Sequence, residues 1–300
     1  MTRRIITRRI FIATALVLVG VAPLAAQGSG ALPPAFETPE LRDGSDWGED
    51  LGLLGINSVL GALTAGILRE YRGGSFWDGV WPGAVGGGVG YVGKRIVAER
   101  FTAAGLIGRQ VSALGSSVIR NASEGRGSFE RLALPFGPVR LYVNTVEGPR
   151  VSAKVDLAAT IMAGWGVLED GADFQLGESL SSGTPVFRVG DSVDGDWAGA
   201  HVAGVVLLRD YGAGEAESLR ILPHERVHVL QYDQIFLSWS APVEASILTH
   251  IPGGESFGRY VDLGLNAPVF GILNMLVPYE ARPWEQEAYY LTRVRSEGGG

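Results

Sequence analysis

The chain of 300 residues contains no cysteine. No disulfide can staple its fold, and any metal it holds must be bound by histidine and carboxylate rather than thiolate. Histidine is scarce, with four in the chain, and Lys94 and Lys154 are the only lysines. Positive charge therefore rests on arginine, and it is outweighed: 25 basic against 32 acidic residues leave a net charge of −7. That balance argues against nucleic-acid binding, which needs a basic face. Long unbroken apolar runs are also missing after the N-terminal segment, because glycine or charge interrupts each one. What is abundant is apolar residues, at 46%, and glycine, at 44. Such a chain is globular or membrane-associated rather than disordered, and long enough for one large or two modest domains.

Residues 1–27 read as an export signal. Arg3, Arg4, Arg8 and Arg9 form a basic start, Ile10 to Leu24 is apolar, and Ala25-Ala26-Gln27 offers small residues for cleavage. Thr7-Arg8-Arg9-Ile10-Phe11-Ile12 also resembles a twin-arginine export motif, with a general secretory signal as the equal alternative. The mature chain is then expected in the periplasm or cell envelope. The absence of cysteine near the cleavage region argues against a lipoprotein. Residues 28–50, polar with Pro and Gly, read as a linker or extended arm.

Residues 51–125 form a glycine-rich helical region. Leu51 to Leu68 carries no charge but is interrupted by Gly52, Gly55, Gly61 and Gly66. Gly79, Gly83, Gly86, Gly87, Gly90 and Gly93 follow, in overlapping small-x-x-x-small spacings, and Ala103 to Ile119 makes a third helical stretch. One reading is a helical hairpin in or on a membrane. The other is soluble helices packed closely against a sheet, which Asp78, Lys94, Arg95 and the shortness of each apolar run favour. Contact with a membrane surface through these helices stays an expectation. No strand–glycine–helix context with a following Lys-Ser/Thr exists, so the glycines make no phosphate loop.

From Ser128 to Arg209 the texture changes. Val139 to Val143, Val151 to Leu157, Val186 to Val189 and Val202 to Leu208 are β-branched or alternating, with turn signals between them. They predict an antiparallel or mixed sheet whose last strand, Ala200 to Leu208, leads through a loop into a helix. His201 on that strand reads as a strand residue, not a ligand.

That helix carries Pro223-His224-Glu225-Arg226-Val227-His228. In H-E-x-x-H the two histidines are four residues apart, on one helical face, so both imidazoles can reach one ion. Zinc accepts two imidazoles, needs at least one further ligand, and can leave a position for water. Glu225 would stand beside that water and take its proton as it attacks a carbonyl. Pro223 fits if it is the first helical residue, where its missing N–H costs nothing. Arg226 puts an unusual charge between the histidines. Gln231, one turn on, reads as either lining the cleft or solvated.

The third ligand is sought in Tyr279-Glu280-Ala281-Arg282-Pro283-Trp284-Glu285-Gln286-Glu287-Ala288-Tyr289, with Pro283 as a helix start. Arg282, Glu285 and Ala288 there, downstream of H-E-x-x-H, resemble the R-x-x-E-x-x-A-D pattern of gluzincin metallopeptidases, especially the HtpX and CAAX-protease group. The resemblance covers the last quarter of the chain. It implies Glu285 as the third zinc ligand, ahead of Glu280 and Glu287, and a peptide or protein substrate. The family's Asp, which normally stands behind the metal ligands, falls where this chain has Tyr289, so the resemblance leaves open what orients the histidine rings. Arg282, Tyr279, Tyr289 and His250 are the candidates for stabilising an oxyanion. The implied fold is α+β and zincin-like: residues 128–295 form a central, mostly antiparallel sheet with an H-E-x-x-H helix and a C-terminal ligand helix, preceded by the glycine-rich helices. The apolar run 263–277, broken by Pro268 and Gly271, is expected to pack beneath the site, and 297–300 to fray. The alternative from another class is a non-catalytic cell-envelope protein with a degenerate or structural metal site.

Overall fold

Glycine decides how closely the first three helices lie. In the computed structural model, which describes residues 47–99, 101–146, 148–169, 172–189, 199–209 and 215–293, these are α1 (Trp47–Tyr71), α2 (Phe76–Val97) and α3 (Ala104–Glu124). The expected export signal, most of the 28–50 arm and residues 297–300 lie outside the described residues. A Cβ added at Gly86 would stand 2.6 Å from the Gly115 carbonyl oxygen, and one at Gly93 2.6 Å from that of Gly108. No side chain fits there, so α2 and α3 meet backbone to backbone. The last four residues of the expected arm, Trp47 to Asp50, are the first turn of α1. Among the described residues α1 is the one helix long and apolar enough to cross a bilayer, by length and composition, and 33% of its most apolar window is buried.

Helix α3 lies on a sheet through polar side chains. Ser117 Oγ donates to Ala113 O within the helix and accepts from Ala133 N; Asn121 donates to Arg131 O and Gln110 to Pro135 O. Each such bond satisfies a buried group that would otherwise cost on the order of 1–3 kcal/mol. The strand met there is β1 (Arg131–Phe136), followed by β2 (Val139–Asn144) and β3 (Arg150–Asp156).

The fold is mixed α+β, but the single central sheet expected from the sequence is two separate four-stranded sheets. The first runs β1-β2-β3-β8, with β8 (Val261–Asp262) parallel to β3. The second is built from β4 (Ala172–Phe174), β5 (Val186–Val189), β6 (Gly199–Val202) and β7 (Val205–Arg209), in the order β4-β5-β7-β6. Helices α4 (Leu157–Leu168) and α5 (Leu176–Ser182) separate β3, β4 and β5 along the chain. The expected strand Ala200 to Leu208 is a hairpin, broken at Ala203 and Gly204, both at positive φ of 48° and 79°. Two such residues make the tight turn whose twist suits paired strands.

The H-E-x-x-H helix, α6, runs Glu215–Ile235 and passes through Pro223, which is therefore inside the helix and not its first residue. It continues through a π-helical turn, Phe236–Ser240, into α7 (Ala241–Leu248). One side of α6 buries Val227 and Leu230 against Tyr91, Val97 and Ala98 of the first layer and against Ala288 and Leu291. The other buries Leu222 and Val229 against Val186, Val206 and Leu208 of the second sheet. A helix enclosed on several sides suits its weak amphipathicity. Its rotation is further fixed by Asp233, which receives Arg109 Nε at 2.7 Å in the interior. After α7 come α8 (Gly254–Phe257), β8, α9 (Asn266–Leu276), a 3-10 turn (Tyr279–Ala281) and α10 (Pro283–Arg293).

Candidate metal centre

Helices α6 and α10 bring three side chains to one point. His224 and His228 present Nε2 atoms 3.1 Å apart, as their four-residue spacing on α6 allows. Glu285, in the first turn of α10, places Oε2 3.3 Å from His224 Nε2 and 3.2 Å from His228 Nε2. The three side chains are 7–12% exposed. The donor set and its spacing fit zinc: ligand atoms about 2.0–2.1 Å from a tetrahedral zinc stand about 3.3–3.4 Å from one another. His224, His228 and Glu285 are thus a group that could hold a metal ion.

Charge within this group is mutually adjusted. Burial alone would lower the His228 pKa, but the hydrogen bond His228 donates to Glu285 and the charges of Glu225 and Glu285 outweigh it, and the pKa rises to about 9. Burial likewise pushes the Glu285 carboxyl up, against the stronger downward pull of His224 and His228, which holds it well below the usual carboxylate range. Glu225 is buried, and its pKa is raised by that burial and by Glu285, against the pull of the two histidines. β6 passes directly beside it: a Cβ on Gly199 would lie 2.9 Å from Glu225 Oε1.

Other residues of the two motifs take defined places. Gln231 is buried, and its Oε1 lies 2.7 Å from His228 Nδ1. Glu287, for which a solvated face was the alternative to ligation, is buried one layer behind the triangle with Lys94. Tyr289, in the place of the expected Asp, lays its ring against His224 at 4.5 Å between centroids. Its hydroxyl is 2.9 Å from that of Tyr279, which also hydrogen-bonds Glu285. Glu280 sits in the 3-10 turn ahead of α10.

Two oxyanion candidates are elsewhere. Arg282 donates to Val277 O and Asn274 O and covers the Tyr279 ring, so it clamps the turn. His250 is exposed and bonded to Ser246 O. His201 Nε2 accepts from Gly204 N in the β6–β7 turn, and burial, with His228 and Arg109 nearby, lowers its pKa well below the ordinary histidine value. Helix α9, expected beneath the site, reaches it through Phe270, whose ring meets Trp284, while Met275 and Leu276 are exposed. Asn57 donates to Glu287 at 2.8 Å and accepts from Lys94 at 2.9 Å, contacts between distant positions that no local sequence pattern signals. For Gln231, the i+3 spacing from His228 was a usable signal, since such residues share a helical face.

No protein-family model, curated protein or solved structure matches the chain.

Proposed function

We propose that the protein is an exported zinc-dependent metallopeptidase with a zincin-like site, in which His224, His228 and Glu285 hold the metal and Glu225 is the general base. The observation that carries this reading is the donor triangle with edges of 3.1, 3.2 and 3.3 Å. Zinc bound there supplies Lewis acidity to a substrate carbonyl and eases the deprotonation of water. Glu225 receives the proton of the attacking water on its carboxylate and passes it to the departing amine nitrogen. Burial raises the proton affinity of Glu225, which suits both halves of that transfer. The Tyr279 hydroxyl donates its one hydrogen to the Glu285 carboxylate and so steadies that ligand. β6 is the outer strand of its sheet and passes Glu225 at Gly199, so an extended peptide can add to it as a further strand.

The test is metal analysis of the purified mature chain beside its His224→Ala variant, with hydrolysis of an unfolded protein substrate followed in parallel. The expected result is stoichiometric zinc and hydrolysis in the wild type, both lost in the variant. A wild type without stoichiometric zinc removes the reading. Stoichiometric zinc without hydrolysis of any peptide supports instead a non-catalytic envelope protein with a structural metal.

A further inference from the structure

The inference that follows rests on the zinc reading and concerns what holds one ligand in its binding form. The Gln231 side chain faces two ways. Its Oε1 lies 2.7 Å from His228 Nδ1, while its Nε2 donates to Glu287 Oε2 at 2.8 Å and to Trp284 O at 3.0 Å. Carboxylate and carbonyl oxygens accept and cannot donate, so they fix which end of the amide points where. The end left for His228 is an oxygen, which also only accepts. His228 must therefore carry a hydrogen on Nδ1, and its Nε2 is the atom free to bind metal.

Glu287 is itself held from the opposite side. Lys94 Nζ reaches its two oxygens at 2.7 and 3.0 Å, and Asn57 Nδ2 donates to Oε1 at 2.8 Å. Lys94 also donates to Asn57 Oδ1 at 2.9 Å, and Lys94 and Glu287 are 3% and 9% exposed. Burying such a pair costs desolvation, and apolar replacements are often no less stable, so stability alone does not account for it. Direction does.

We infer that the buried Lys94–Glu287 pair positions His228 through Gln231: it sets the amide orientation, and the amide sets the imidazole tautomer that presents Nε2. Lys94 and Asn57 come from the glycine-rich hairpin, Glu287 from the helix that bears Glu285. The hairpin is thus the outer support of the metal centre.

The experiment measures zinc affinity of the full mature chain by competition with a chromophoric chelator, with thermal melting to establish folding. The variants are Lys94→Met/Glu287→Met, which leaves no buried charge unpaired, Gln231→Leu, and the triple combination. The pair variant is expected to melt cooperatively while its zinc affinity falls about 10- to 100-fold. Gln231→Leu should lose a similar factor, and the triple variant no more, because residues acting in series are not additive. A structural role alone would not move the second readout, the slowly exchanging Nδ1–H resonance of zinc-loaded His228. It should be seen in the wild type and lost in each variant.

Should the pair variant fail to fold, Gln231→Leu, with the ion pair intact, and Glu287→Gln, which keeps size and removes charge, carry the same two readouts. Wild-type zinc affinity together with a retained resonance in the folded variants overturns the inference and leaves the zinc reading standing. A wild type that binds no zinc overturns both.

Discussion

Arg226 donates from Nε to Ser182 Oγ at 2.7 Å and from Nη2 to Ser181 Oγ at 2.8 Å. The charge that looks out of place between two ligand histidines thus leaves the site on the opposite side of α6 and ties that helix to the end of α5. Burial lowers its pKa to about 10, against the opposing pull of Glu178. Arg226→Leu should keep the zinc content and lose stability of about 1–3 kcal/mol, because the buried Ser182 hydroxyl loses its donor while Ser181 keeps its bond to Glu178 O. Chemical denaturation beside metal analysis checks this; a loss of zinc at unchanged stability would contradict it.

Glu225 touches the reaction but not the metal in the proposed mechanism, so its removal should separate binding from turnover. Glu225→Gln is expected to keep stoichiometric zinc and to lower kcat by about 100- to 10,000-fold. Hydrolysis at the wild-type rate by the zinc-loaded variant would refute the assignment of the base.

The glycines of the first layer divide into those that are packed and those that are not. A Cβ at Gly86 would press on the Gly115 carbonyl at 2.6 Å, whereas one at Gly52 meets nothing within 4 Å. Gly86→Ala should therefore destabilise by about 1–3 kcal/mol. Gly52→Ala should stabilise by up to about 1 kcal/mol, because alanine is the better helix former. Denaturant midpoints of the two variants give opposite signs if close backbone approach is what holds this layer.

Acid should weaken the far end of α3. Burial alone would raise the Glu124 pKa, but Arg120, bonded at 3.1 Å, with Arg126 and Arg72 behind it, brings it below the ordinary 4.5. A carboxyl whose folded pKa is lowered contributes stability that is present above 4.5 and is lost as pH falls through the folded value. Wild type should thus melt above Glu124→Gln at neutral pH, and the gap should close as the pH drops below 4.5. A gap independent of pH over that range would show that the carboxylate charge contributes nothing.

The sequence by itself determined what depends on spacing along one element. The four-residue separation of His224 and His228 follows from helical geometry, and so does the shared face of Gln231. The glycine periodicity foretold closely packed helices, and the alternating stretches between Ser128 and Arg209 foretold strands. Tertiary structure decided everything that needed a partner from elsewhere in the chain. Pairing register is not written in a single strand, so one expected sheet became two, and a run taken as one strand folded back at Ala203-Gly204. Pro223 gave the impression of a helix start, yet packing on both sides of α6 carries the helix through it. Glu287 could not be told from a solvated carboxylate, because what fixes it is Lys94, 193 residues away. Local periodicity reports which face a side chain occupies; only the folded chain decides which charge waits there to meet it.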